Sequence, residues 1–144
     1  MKRLLISYLG AGLFMLAADM VWLSLMVEPV YRRFVGALLL EQPQAAPAIV
    51  FYVMYGVGVV VFSVLPGLQA GRWQASAARG ALFGLLAYAT YDLSNLATLR
   101  GWSLPLSLID MAWGATLTAG AGVAGYLAAR KWSTPSARGP GAGL

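Results

Sequence analysis

LPLSLIDMAWGATLTAGAGVAGYLAA, residues 104–129, runs for 26 positions with a single charge, Asp110. About 20 apolar residues in a helix suffice to cross the hydrocarbon core of a bilayer. Three more stretches upstream match it: residues 77–99, 46–68 and 4–27. The first begins Met-Lys-Arg, as a signal peptide would, but no Ala-x-Ala site follows. The apolar run instead continues through Val21-Trp22-Leu23-Ser24-Leu25-Met26-Val27, which reads as a retained span. The expected fold is therefore an all-α membrane protein, four transmembrane helices in a compact bundle.

Composition agrees. Of the 144 residues, 60% are hydrophobic and 10% charged, against about 25% charged in a soluble domain. A net charge of +5 could suit nucleic acid, but no basic stripe with interleaved aromatics exists. Cysteine and histidine are absent. Disulfides, thiolates, His-based zinc sites and Ser-His or Cys-His pairs are thereby excluded. No Walker loop or dinucleotide fingerprint is present, and no cofactor is implied.

The cations set an orientation. With the N-terminus inside, Lys2, Arg3, Arg72, Arg79, Arg130, Lys131 and Arg138 are cytoplasmic, whereas Arg32, Arg33 and Arg100 lie outside. That excess places both termini in the cytoplasm. Trp73, Trp102 and Trp132 fall at span ends, where interfacial indoles are expected. One domain, residues 1–132, is followed by a Pro-, Gly- and Ser-containing tail, 133–144, expected to be disordered. Between spans one and two, Tyr31, Phe34, Val35 and Leu38 recur at helical spacing, which predicts a short amphipathic helix on the outer interface.

Three of the five acidic residues, Asp19, Asp92 and Asp110, fall inside spans. Each costs about 2.5–3.5 kcal/mol at a helix centre on insertion scales, so such residues face a bundle interior or a wet cavity. With alternating span directions, all three sit roughly 5–10 Å to the outer side of centre. Asp19-Met-Val-Trp22 and Asp110-Met-Ala-Trp113 repeat one Asp-Met-x-Trp pattern, with Asp and Trp on one face. Span three presents Gly80, Gly84, Tyr88, Tyr91, Asn95 and Thr98 as one stripe with Asp92 at its edge, and span two adds Tyr52 and Tyr55. Gly114, Ala121 and Gly125 suit close helix contact. The expected ligand-binding set is Asp19, Trp22, Tyr52, Tyr55, Tyr88, Tyr91, Asp92, Asn95, Asp110 and Trp113.

The string Tyr88-Ala-Thr-Tyr91-Asp92-Leu-Ser-Asn95-Leu-Ala-Thr98, followed by Gly101-Trp102 and Asp110-x-x-Trp113-Gly114, resembles the bacterial membrane-protein family catalogued as domain of unknown function 2177. Asp19-x-x-Trp22-Leu23, Phe51-Tyr52-x-x-Tyr55 and Phe62-x-Val64-x-Pro66 share the resemblance, which touches all four spans. It implies a small multi-pass protein of the bacterial inner membrane and brings no activity with it.

Three functions fit these residues. The first is binding or transport of a small cationic or amphipathic molecule in an outward polar pocket, with a homodimer expected because four spans are few for a transport path. The second is an enzyme acting on a lipid or isoprenoid, with paired carboxylates as acid and base or three carboxylates and Asn95 around a hard divalent cation. The third is a non-catalytic subunit of a membrane complex, in which hydrogen-bonded carboxylates clamp helices. The lipid bilayer is the partner common to all three.

Overall fold

The computed structural model describes residues 1–131. Trp132 and the expected tail lie outside the described residues. All secondary structure among the described residues is helical. Helix α1 covers Lys2–Met26 and passes into a π-helical turn, Val27–Arg32, the short α2, Arg33–Val35, and a 3-10 turn, Gly36–Leu38. A second rod runs from α3, Ala45–Val59, through a π-helical turn, Val60–Val64, into α4, Leu65–Ala70. Helices α5, Trp73–Thr98, and α6, Leu104–Lys131, complete the bundle.

Both π turns lie beside a proline. Pro66 has no N–H to donate, and in a regular helix its ring would strike the carbonyl of Phe62. A widened turn just upstream relieves that clash. Pro29 lies inside the first π turn and would meet Leu25 in the same way. The second rod ends where Gly71, at φ 69°, adopts the left-handed conformation and its N–H caps the Leu68 carbonyl.

Helix α6 is the central member. It runs antiparallel to α1, with Phe14 over Gly120 and Gly10 against Ala128, and antiparallel to α5, with Gly84 against Gly114 and Gly80 against Thr118. Small residues make these approaches possible: a Cβ on Gly84 would collide with the Gly114 carbonyl and the Thr118 side chain. The stripe read on span three is corrected here. The buried line of α5 is Ser76, Gly80, Gly84 and Asp92, at four-residue multiples, while Tyr91 and Thr98 are exposed. The seam follows the i, i+4 ridge of α5 onto α6, and residues a step off that ridge turn outward.

Polarity is distributed inside-out. Ser7, Ser63, Ser76, Ser107 and Thr118 are fully buried, whereas Leu5, Leu13, Met20, Val53, Met54, Leu82 and Leu108 are exposed. Ser63 and Ser76 form a buried knot in which Ser63 donates to the Ser76 carbonyl at 2.8 Å and Ser76 to the Gly122 carbonyl at 2.9 Å. That knot ties the second rod to α5 and α6. An outer surface this apolar suits an apolar solvent. Two segments, Lys2–Leu38 and Ala45–Ala70, are long and apolar enough to cross a membrane. Helices α5 and α6 have the length, at 26 and 28 residues, but their packed seams are rich in Gly, Ser, Thr and Ala and each buries an Asp.

The expected amphipathic helix is also corrected. Residues 27–38 are helical, but in three short pieces joined to α1. Met26, at φ −108° and ψ −17°, lies at the margin of the right-handed helical region, where α1 passes into the π turn and the chain bends. Tyr31, Phe34 and Val35 face inward as the spacing predicts, and Leu38 is exposed. The turn has a consequence. On a straight helix, residues 22 and 31 would stand about 13 Å apart along the axis and on opposite faces, yet their side chains hydrogen-bond.

Candidate carboxylate–aromatic cleft

Asp19 projects from α1 and Asp110 from α6, one to either side of the Trp22–Trp113 contact, and both line one cleft. Both oxygens of Asp19 are engaged: Tyr52 donates to Oδ2 at 2.8 Å and Trp113 donates its indole N–H to Oδ1 at 2.9 Å. Three helices, α1, α3 and α6, thus meet at one carboxylate. Asp110 is engaged at Oδ1 alone, by the Tyr31 hydroxyl at 2.5 Å, and Tyr31 in turn accepts the Trp22 indole N–H at 3.1 Å.

The repeated Asp-Met-x-Trp pattern now has a physical meaning. The indole of each repeat reaches toward the carboxylate of the other, Trp113 directly and Trp22 through Tyr31. Between the two arms the Trp22 and Trp113 rings stack, with centroids 4.2 Å apart and planes 7° from parallel. Two antiparallel helices carrying the same pattern make a reciprocal, nearly symmetric contact.

Above this stack lies a cleft of about 170 Å³ walled by Asp19, Trp22, Tyr52, Tyr88, Tyr91, Asp110 and Trp113 of the expected set. Leu23, Tyr31 and Phe51 also line it and were not expected there. Tyr31 is the significant omission. Its place on the inner face of residues 27–38 was readable from helical spacing, but its contact with Asp110 depends on the turn at Met26. Burial, reinforced by the bond it donates to Asp110, pushes the Tyr31 phenol above its usual range, so it remains a hydrogen-bond donor.

Three expected residues lie elsewhere. Tyr55 turns its hydroxyl away to Thr118, at 2.7 Å, and its ring stacks on Phe83. Asn95 stands one turn beyond Tyr91 and lines no cleft. Asp92 is fully buried at the α5–α6 seam, and neither of its oxygens makes a hydrogen bond of ordinary geometry. The Ser107 hydroxyl is close enough to act on it, while that oxygen accepts the Trp102 indole N–H at 3.0 Å. The four-residue ridge of α5 that seats Gly84 on α6 carries Asp92 beneath α6 instead of into the cleft. Among the described residues no three carboxylates converge in a way that could hold a metal ion.

Two other hollows border the bundle. One of about 360 Å³, between Phe51 and Tyr55 of α3 and Ala87, Tyr88 and Tyr91 of α5, adjoins the carboxylate cleft. The other, about 610 Å³, is an apolar groove beside Lys2, Leu5, Tyr8, Val57 and Leu65 at the opposite end of α1, remote from both carboxylates.

The family model of the predicted membrane proteins catalogued as domain of unknown function 2177 matches residues 4–127, which include every residue of the cleft. The chain belongs to this family. Membership of the 2177 family covers the whole packed bundle, from the first turns of α1 nearly to the end of α6, and accords with the apolar outer surface. No curated protein and no solved structure matches the chain.

Proposed function

We propose that this member of the 2177 family crosses the bacterial inner membrane four times, with both termini cytoplasmic, and binds a small cation in the Asp19–Asp110 cleft. The observation that carries the reading is the unequal treatment of the two carboxylates. Asp19 spends both oxygens on Tyr52 and Trp113 and so holds three helices together. Asp110 spends only Oδ1, and its other oxygen is available to a charged guest.

The walls suit a cation. Trp, Tyr and Phe faces attract positive charge through their quadrupoles, and desolvation strengthens the attraction. A cleft of about 170 Å³ is below the roughly 300–1,000 Å³ typical of drug-sized ligands, which favours an amine or quaternary ammonium group over a bulky solute. Four spans are few for a translocation path, so transport of the bound cation would require a homodimer. The seven-to-three division of Lys and Arg supports the orientation.

Titration of purified protein in nanodiscs with tetramethylammonium tests the site, read by the fluorescence of the stacked indoles. Saturable quenching is expected, with affinity reduced about tenfold or more by Asp110→Asn, since a charge-assisted contact exceeds a neutral one by a kcal/mol or more. Binding that is absent, or unchanged by Asp110→Asn, would sink the reading.

A further inference from the structure

We infer that the ligand is a single-chain cationic amphiphile whose tail lies in the apolar hollow between α3 and α5, reached sideways from the bilayer. The inference rests on the cation reading of the polar cleft and extends it to the rest of the molecule bound.

The two hollows adjoin and share Phe51, Tyr88 and Tyr91 in their walls, so the path from one to the other passes these three side chains. Chemistry changes sharply along that path. The inner part holds Asp19 and Asp110; the outer part, lined additionally by Tyr55 and Ala87, presents no charge. Tyr55 contributes only ring surface, since its hydroxyl is spent on Thr118. The apolar part, at about 360 Å³, is also the larger. A carboxylate-bearing end joined to a longer uncharged end is complementary to a cationic head on an apolar chain, not to a free ion.

The opening has a structural origin. The π turn Val60–Val64 and α4 run along α5, whereas α3 packs on α1 and hardly approaches α5. The stack of Tyr55 on Phe83 and the contact of Phe62 with Phe83 close the gap from below. Beyond Phe83 the two helices diverge, and Phe51 and Tyr91, both exposed, stand at the rim. This gap faces the side of the bundle, so a tail could remain in lipid as the head enters.

The test compares tetramethylammonium, a head without a tail, with decyltrimethylammonium, in nanodiscs of one lipid composition. Each methylene buried in protein should tighten binding about fourfold relative to its exposure to water. Partition into the bilayer also favours the decyl compound, so the informative quantity is the affinity ratio of the two probes in wild type against Ala87→Trp. Filling the apolar hollow from Ala87 should cut that ratio about tenfold or more while tetramethylammonium binds as before. Ala87→Leu, a smaller intrusion, should cut it less, and serves if the Trp variant binds neither probe. An unchanged ratio with intact tetramethylammonium binding overturns the tail assignment and leaves the cation site standing. Loss of all tetramethylammonium binding in wild type overturns the cation reading and, with it, this one.

Discussion

Trp22 and Trp113 stack with their ring centroids 4.2 Å apart, although one belongs to the first long helix and the other to the last. Their indole N–H groups point to opposite arms of the cluster, one toward Asp19 and the other through Tyr31 toward Asp110. The stack is therefore the hinge of two hydrogen-bonded arms, and substitutions on either arm should have separable effects on stability and on ligand binding.

The two buried carboxylates at either side of α6 should respond oppositely to the same change. Asp19→Asn keeps one acceptor and puts an amide N–H₂ against a donor, Tyr52 or Trp113, and should cost about 1 kcal/mol. Asp92→Asn removes a carboxylate that lacks ordinary partners and should unfold at the same temperature as wild type or higher. Thermal unfolding in one detergent compares the pair. A large loss in Asp92→Asn would mean that its charge holds the α5–α6 seam.

Glycines test the seam itself. Gly84→Ala places a Cβ against the Gly114 backbone carbonyl, which cannot swing aside, and overpacking of this kind costs about 1–3 kcal/mol. Gly12→Ala meets nothing within 4 Å and should be neutral or stabilising by up to about 1 kcal/mol through helix propensity. Equal behaviour of the two variants in thermal unfolding would contradict the close approach of α5 and α6.

Tyr31 links stability to alkaline pH. Its phenol is raised from the ordinary value of 10.0 by burial and by the bond to Asp110. Folding then favours the neutral form, so its contribution is fully present below pH 10 and is lost as pH rises through the folded-state value. Stability of wild type relative to Tyr31→Phe should be constant from neutral pH to about 10 and fall beyond it. Ultraviolet difference spectra of the folded pair should show no phenolate from Tyr31 at pH 10. Phenolate absorbance there, assigned by the variant, would show the phenol to be solvated.

Orientation is checked with reporters. Fusions at Gln74, in the first turn of α5, and after Lys131 should report cytoplasm, and one at Gln42, between α2 and α3, should report the outer side. A periplasmic signal after Lys131 would remove the four-span arrangement and with it the placement of the cleft toward the outer leaflet.

The all-helical architecture, the inward-facing Asp19 and Asp110, and the closeness permitted by Gly114, Ala121 and Gly125 were readable in the amino-acid sequence. Each follows from local quantities: run length, 3.6-residue periodicity, and the cost of a carboxylate in hydrocarbon, which leaves an interior position as the economical one. Which Asp meets which indole was not local. Reciprocal contact between the two Asp-Met-x-Trp repeats requires the antiparallel register of α1 on α6, with Phe14 over Gly120, and that register is set by side-chain volumes along both helices at once. Asp92 shows the same limit. It was expected at the depth of the other two, but the register that seats Gly84 on Gly114 and Gly80 on Thr118 carries it toward Leu106 and Ser107, and depth along a helix does not specify rotation about it. The ridge through Ser76, Gly80 and Gly84 rotated α5 so that Asp92 was sealed against α6. Tyr31 entered the cleft because Pro29 and the dihedral angles of Met26 turned the chain after α1, and the direction of such a turn is decided by what the turned segment can pack against.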